Sequence, residues 1–273
     1  MMRNRNIQIA FFVVVIILSI VYLLPIYVMI VTSLKTPYEI TQRLYLIPSL
    51  RPQFDNYKQA FIKIYPSLIN SLIISGTVTL LATFLGSLGG YYLSRSRSKF
   101  SKVLFILVGI TLYLPYQAVL IPLVQIAAKT GMALTHWGMI FSYSILNIPL
   151  ASVLMGTFFF SIPRELEEAA QADGASKPQI FFRIVAPLSL PGYASTAILI
   201  FTQVWNEFLL ALCLSTPETT TVQVKLAEIK GSFVALYNIQ MAAAIIGVII
   251  PLLLFIFLGR FFIRGVLAGA LKG

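Results

Sequence analysis

The stretch ELEEAAQADG, residues 165–174, gathers four of the chain's nine carboxylates into ten positions. Carboxylates held on a helix can fix the register of a partner surface through charge-assisted hydrogen bonds. A further acid, Glu207, follows Gln203 and Asn206 inside an otherwise apolar run. The remaining inventory is sparse. The single histidine, His136, stands beside Trp137 without a nearby cluster of other ligands, so no metal site is expected. Cys213 is the one cysteine and lies in an apolar run, which rules out an intrachain disulfide. There is no G-x-x-x-x-G-K-[ST] phosphate loop and no Ser/His/Asp or Cys/His set. Catalytic residues are therefore not assigned, and no cofactor is expected on this chain.

The elements that must carry these residues follow from composition. Of 273 residues, 58% are hydrophobic and 11% charged, with a mean hydropathy of +0.88; a soluble domain is about 25% charged. An apolar run of roughly 20 residues crosses a hydrocarbon core. Such runs place membrane spans near 8–31, 68–93, 103–128, 138–160, 192–214 and 241–263. The expected fold is all-α and integral to the membrane, one domain over residues 1–273 with no room for a sizeable soluble domain. The first run, Ile7 to Val31, is too long for a signal-peptide core and is read as a retained helix. Pro25, Pro115, Pro122, Pro149 and Pro251 fall within spans and predict kinks against packed neighbours.

A net charge of +11 could indicate nucleic acid in a soluble protein, but here the basic residues sit in short segments between apolar runs. That pattern reads as membrane topology, not as nucleic-acid binding. With both termini cytoplasmic, 12 of the 20 Lys and Arg residues lie inside and 8 outside, and SRSRSKFSK packs four into one short inside loop. ELEEAAQADG then lies on the cytoplasmic side, within residues 161–191 between spans four and five.

Helix punctuation is clear in this loop. Pro163 suits a first turn, Glu165, Glu167 and Glu168 fall where the helix dipole favours negative charge, and Gly174 can end the helix left-handed. Leu166, Ala169, Ala170 and Asp173 recur on one face as a stripe of mostly small residues. Ser176 caps a second helix, whose larger apolar face is Ile180, Phe181, Ile184 and Val185, ending near Pro187. An interfacial helix would carry large apolar residues opposite lysines or arginines. The first helix has neither and reads as a docking element.

The pattern Glu168, Ala169, Ala170, then Gly174, then Ile184 and Pro187 resembles the EAA loop of the permease subunits of binding-protein-dependent ABC importers. Ala186 stands where that family usually has Leu. TQVWNEFLLAL, residues 202–212, and FFIRGVLAGALKG, residues 261–273, resemble the carbohydrate branch, of the maltose-permease G type. The resemblance implies a coupling helix seated in a separate ATPase subunit, with Glu165, Glu168, Ala169, Ala170, Asp173 and Gly174 as its coupling residues. It also implies a second homologous permease, two ATPase subunits holding ATP and magnesium, an extracytoplasmic solute-binding protein, a sugar substrate, and a prokaryotic plasma or inner membrane. Lys230, Gly231, Ser232 and Phe233 are expected to touch the binding protein.

Glu207 is the one carboxylate placed within a span, where a charge costs very roughly 2.5–3.5 kcal/mol. Gln203, Asn206 and Glu207 are expected either to line the translocation path or partner-permease interface, or to staple helices by hydrogen bonds. Gly86 and Gly90, spaced G-x-x-x-G, predict close helix packing. Other readings are an EAA-loop importer for another solute such as polyamines, an ion-coupled secondary carrier, and a scaffold whose hairpin docks a partner. A carrier would more often show ionisable residues in several spans and an inverted repeat.

Overall fold

The computed structural model describes residues 5–42, 45–230 and 236–270, and every regular element among them is a helix. Gly231, Ser232 and Phe233 lie outside the described residues. In chain order the helices are α1 (Arg5–Ser33), α2 (Pro37–Thr41), α3 (Asp55–Arg95), α4 (Lys99–Thr111), α5 (Leu120–Lys129), α6 (His136–Phe160), α7 (Glu165–Ala172), α8 (Lys177–Ile180), α9 (Ala186–Leu188), α10 (Leu190–Trp205), α11 (Leu209–Leu214), α12 (Val222–Lys230) and α13 (Tyr237–Ala270). Four of these are long and apolar enough to cross a membrane, and six spans result if each of two bent helix pairs is one span.

Both bends have local causes. Between α4 and the 3-10 turn Tyr116–Val119 that leads into α5, the axis turns by 96°. Pro115 offers no N–H and disfavours helical backbone at Leu114, so the helix stops although the apolar run continues. The expected third span, 103–128, is thus two pieces of 13 and 10 residues before and after the turn. At about 1.5 Å per residue neither piece reaches across a core of about 30 Å by itself. A second bend, of 76°, separates Lys177–Leu188 from α10 at Ser189, between Pro187 and Pro191. The fifth expected span, 192–214, is also interrupted: α10 ends at Trp205 and helix resumes at Leu209.

The chain forms two compact units, Met1–Tyr65 with Lys225–Ile249 and Pro66–Val224 with Ile250–Gly273. In the first, Asn56 ties the end of α1 to the start of α3, its amide donating to the carbonyls of Ser33 and Lys35, both at 2.9 Å. Asn238 donates to Asn56 at 3.0 Å. Lys35 is 1% exposed, and its ammonium donates to the Ile47 carbonyl. Thr36 and Glu39 form a capping box at α2, and the Thr36 N–H holds the Glu39 carboxyl below the usual carboxylate range.

In the second unit α3 and α6 approach to backbone contact. A Cβ on Gly86 would stand 2.3 Å from the Ala151 Cβ, and one on Gly90 would stand 2.5 Å from the Ser152 carbonyl oxygen. Neither obstacle is a flexible side-chain end. The apolar core continues through Ile74, Val78 and Ala82 of α3 and Met139, Tyr143 and Ala151 of α6, with Ile200 and Val204 of α10. Replacing Gly86 or Gly90 with Leu should therefore cost about 1–3 kcal/mol or more. By contrast Gly76, whose Cβ position has nothing within 4 Å, should accept Leu with little change. Thermal unfolding in detergent checks this; equal midpoints for the Gly86→Leu and Gly76→Leu variants would contradict it.

Candidate functional site

The hairpin between α6 and α10 is built from α7, a tight turn, α8 and a π-helical turn over Phe181–Val185. Its turn is a Schellman motif. The Gly174 N–H donates to the Gln171 carbonyl at 3.1 Å and the Ala175 N–H to the Ala170 carbonyl at 3.0 Å, with Gly174 at φ +85°. Ser176 and Gln179 form a capping box that starts α8. A shallow cleft of about 270 Å³, lined by Asp173, Gly174, Ala175, Gln179, Arg183 and Ile184, lies beside the turn.

Two faces of α7 have different surroundings. Glu165, Glu168, Ala169, Ala172 and Asp173 are exposed, as is Leu166, whereas Arg164, Glu167 and Ala170, at successive three-residue steps, are half-buried. Of the expected coupling residues, Glu165, Glu168, Ala169, Asp173 and Gly174 are thus exposed, and Ala170 packs inward against the apolar cluster that includes Phe159, Ile180 and Phe181.

Glu167 was not singled out by spacing, and it holds the most enclosed ion pair among the described residues. Its carboxylate lies 2.6 Å from the Arg95 guanidinium, with side chains 14% and 12% exposed, and accepts the Tyr91 hydroxyl at 2.7 Å. Arg95 also donates to the Ile162 carbonyl at 3.1 Å, and Arg164 to the Ser94 carbonyl at 3.3 Å. The end of α3 and the root of the hairpin are thereby cross-linked. Glu168, in contrast, stands 3.7 Å from Arg97, both largely exposed, and such a pair contributes little.

Glu207 sits in the break between α10 and α11 and is turned away from its expected companions. Its carboxylate accepts the hydroxyls of Tyr116, at 2.8 Å, and Tyr143, together with the backbone N–H groups of Leu210 at 3.0 Å and Ala211 at 3.2 Å. These donors converge on both oxygens of one carboxyl group. The geometry is that of a staple joining the α4–α5 bend, α6 and the start of α11. Gln203 and Asn206 remain exposed. Asn206 donates to the Thr202 carbonyl at 2.9 Å and accepts from Gln223 at 3.2 Å.

His136 begins α6 and its Nε2 lies 2.9 Å from the Asn70 side-chain oxygen. The Asn70 amide in turn donates to the carbonyls of Glu218, at 2.8 Å, and Thr220, at 3.1 Å. Among the described residues no group of three or more His, Cys, Asp or Glu is placed to hold a metal ion.

Glu207→Gln keeps the shape but supplies one acceptor oxygen for several donors, and should cost about 1–3 kcal/mol, seen as a lower unfolding midpoint. Tyr116→Phe should cost less, since its donor is half-buried and reaches water when released. Unchanged stability of Glu207→Gln would contradict the staple.

Comparisons with known proteins agree with this architecture. The family described as binding-protein-dependent transport system inner membrane component matches residues 82–268. The glucose import system permease protein GlcU of Saccharolobus solfataricus is 37% identical over 92% of this chain and 91% of its own length. The melibiose/raffinose/stachyose import permease protein MelC of Bacillus subtilis is 32% identical over 92% of both. A chain in the crystal structure of a bacterial ABC transporter involved in the import of the acidic polysaccharide alginate superposes with a TM-score of 0.81 at 22% identity, covering 96% of this chain and 98% of that one, and so shares the fold. With the family matching most of its length and two relatives above 30% identity spanning nine-tenths of it, this chain belongs to the inner membrane components of binding-protein-dependent transport systems.

Proposed function

We propose that this chain is one of two homologous permease subunits of an ATP-driven sugar importer, with both termini in the cytoplasm. The observation that carries the reading is the two-faced hairpin: Glu165, Ala169 and Ala172 present an exposed face of small residues and charge, and the opposite face is rooted on α3 and α6. Small side chains let another backbone approach closely, and Glu165 and Glu168 can fix its register through charge-assisted hydrogen bonds. The chain carries no phosphate-binding loop, so ATP and magnesium are assigned to a pair of separate ATPase subunits docked on this face. Hydrolysis there biases the permease between inward-facing and outward-facing arrangements. Gln203 and Asn206, exposed beside the α10 break, are assigned to the path or the partner-permease interface. The segment 230–233 is assigned to contact with the extracytoplasmic binding protein. The names of GlcU and MelC favour a sugar as the solute.

Gly174 separates docking from folding. Its Cβ position has nothing within 4 Å, so Gly174→Ala and Gly174→Trp carry a similar left-handed backbone cost of about 1–2 kcal/mol within the chain. When the complex is co-expressed with its neighbouring genes and purified through this subunit, ATPase should accompany the wild type and the Ala variant and be lost from the Trp variant. In proteoliposomes with the binding protein, labelled glucose or melibiose should enter in an ATP-dependent manner. Absence of ATPase from the wild type would contradict the reading, and ATP-driven uptake of spermidine with no sugar uptake would contradict its sugar part.

A further inference from the structure

We propose that Glu167 is a positioning residue of the coupling hairpin, a strut that makes a displacement of α7 a displacement of α3 and α6. The inference rests on the reading above, that an ATPase engages the exposed face of α7. That face and Glu167 are on opposite sides of one helix, so a push applied at Glu165, Ala169 and Ala172 is received on the other side by Glu167 and Ala170. Ala170 transmits by apolar contact, which resists compression and slides easily. Glu167 is held in direction by the Tyr91 hydroxyl at 2.7 Å and in place by the charge of Arg95 at 2.6 Å, both from the last two turns of α3. Arg95 is itself fixed by the Ile162 carbonyl at 3.1 Å, on the segment that links α6 to α7. The load then meets the close approach of α3 and α6 at Gly86 and Gly90, where nothing larger than the Ala151 methyl stands between the backbones to absorb it. Glu167 need not touch the ATPase or the sugar to act.

The test uses the whole complex in lipid nanodiscs, with Cys213 replaced by Ser and nitroxides at exposed positions of the hairpin and α3, Lys177→Cys and Leu80→Cys. Pulsed EPR distances are recorded without nucleotide and after trapping with magnesium-ATP and vanadate. In the otherwise wild-type protein the distance distribution should stay narrow and centred at one value in both states. With Glu167→Gln it should broaden or shift on trapping, its width growing roughly twofold, while ATPase still co-purifies. Arg95→Gln, which removes the charge from the other side of the pair and keeps a donor for the Ile162 carbonyl, should broaden it likewise, and serves if Glu167→Gln fails to fold. An unchanged distribution in Glu167→Gln would overturn the strut. Loss of the ATPase from that variant would overturn it too, because Glu167 would then be a docking residue. Absence of ATPase from the wild-type preparation is a different failure, that of the importer reading beneath it.

Discussion

At Gly86 and Gly90, α3 approaches α6 with nothing larger than the Ala151 methyl between them, and the second unit depends on that contact. In lipid, apolar side chains gain little by leaving the solvent, so association relies on close van der Waals contact and on polar groups meeting one another. Gly86 and Gly90 against Ala151, Ser152 and Gly156 provide the first. The second is distributed along the same pair. His136 at the start of α6 meets Asn70 of α3, Tyr143 reaches Glu207, and beyond Phe159 the chain passes directly into the hairpin that Arg95 and Tyr91 hold.

Two enclosed carboxylates in this apolar chain, Glu207 and Glu167, are handled differently, and each shapes the backbone around it. At Glu207 the carboxylate is supplied with donors by breaking a helix, since Leu210 and Ala211 can offer their N–H groups only at a helix start. Two tyrosines complete the shell. At Glu167 the helix continues and the charge is matched by Arg95 across the packing interface. Removing one partner from an enclosed pair leaves the other uncompensated, so both arrangements hold their surroundings in place more firmly than their small net contribution to stability suggests.

Much of this was legible in the sequence. Spans, the hairpin between the fourth and fifth of them, the left-handed Gly174 and the Ser176 cap all follow from local pattern, because hydropathy, dipole preference and the freedom of glycine act within a few residues. The bends were less visible. Pro115 announces a kink, but the apolar run passes through it unchanged, and nothing local fixes an angle of 96°. Glu207 lies four residues after Gln203, which on an unbroken helix would put both on one stripe. The break after Trp205 turns Glu207 inward and leaves Gln203 exposed, so the two face different surroundings although they lie four residues apart. Glu167 carried no signal of its own among neighbouring acids. Its distinction is made by Tyr91, 76 residues earlier in the chain, which only tertiary structure brings near.

On the function proposed above, one face of α7 belongs to an ATPase and the other to the permease's own helices. A cryo-electron microscopy structure of the assembled complex, purified through this subunit, tests it most directly. Glu165, Ala169 and Ala172 should then be buried against an ATPase subunit, with Glu167 still paired to Arg95. An ATPase seated elsewhere, or a hairpin whose Glu165 and Ala169 face lipid or solvent in the complete assembly, would contradict it.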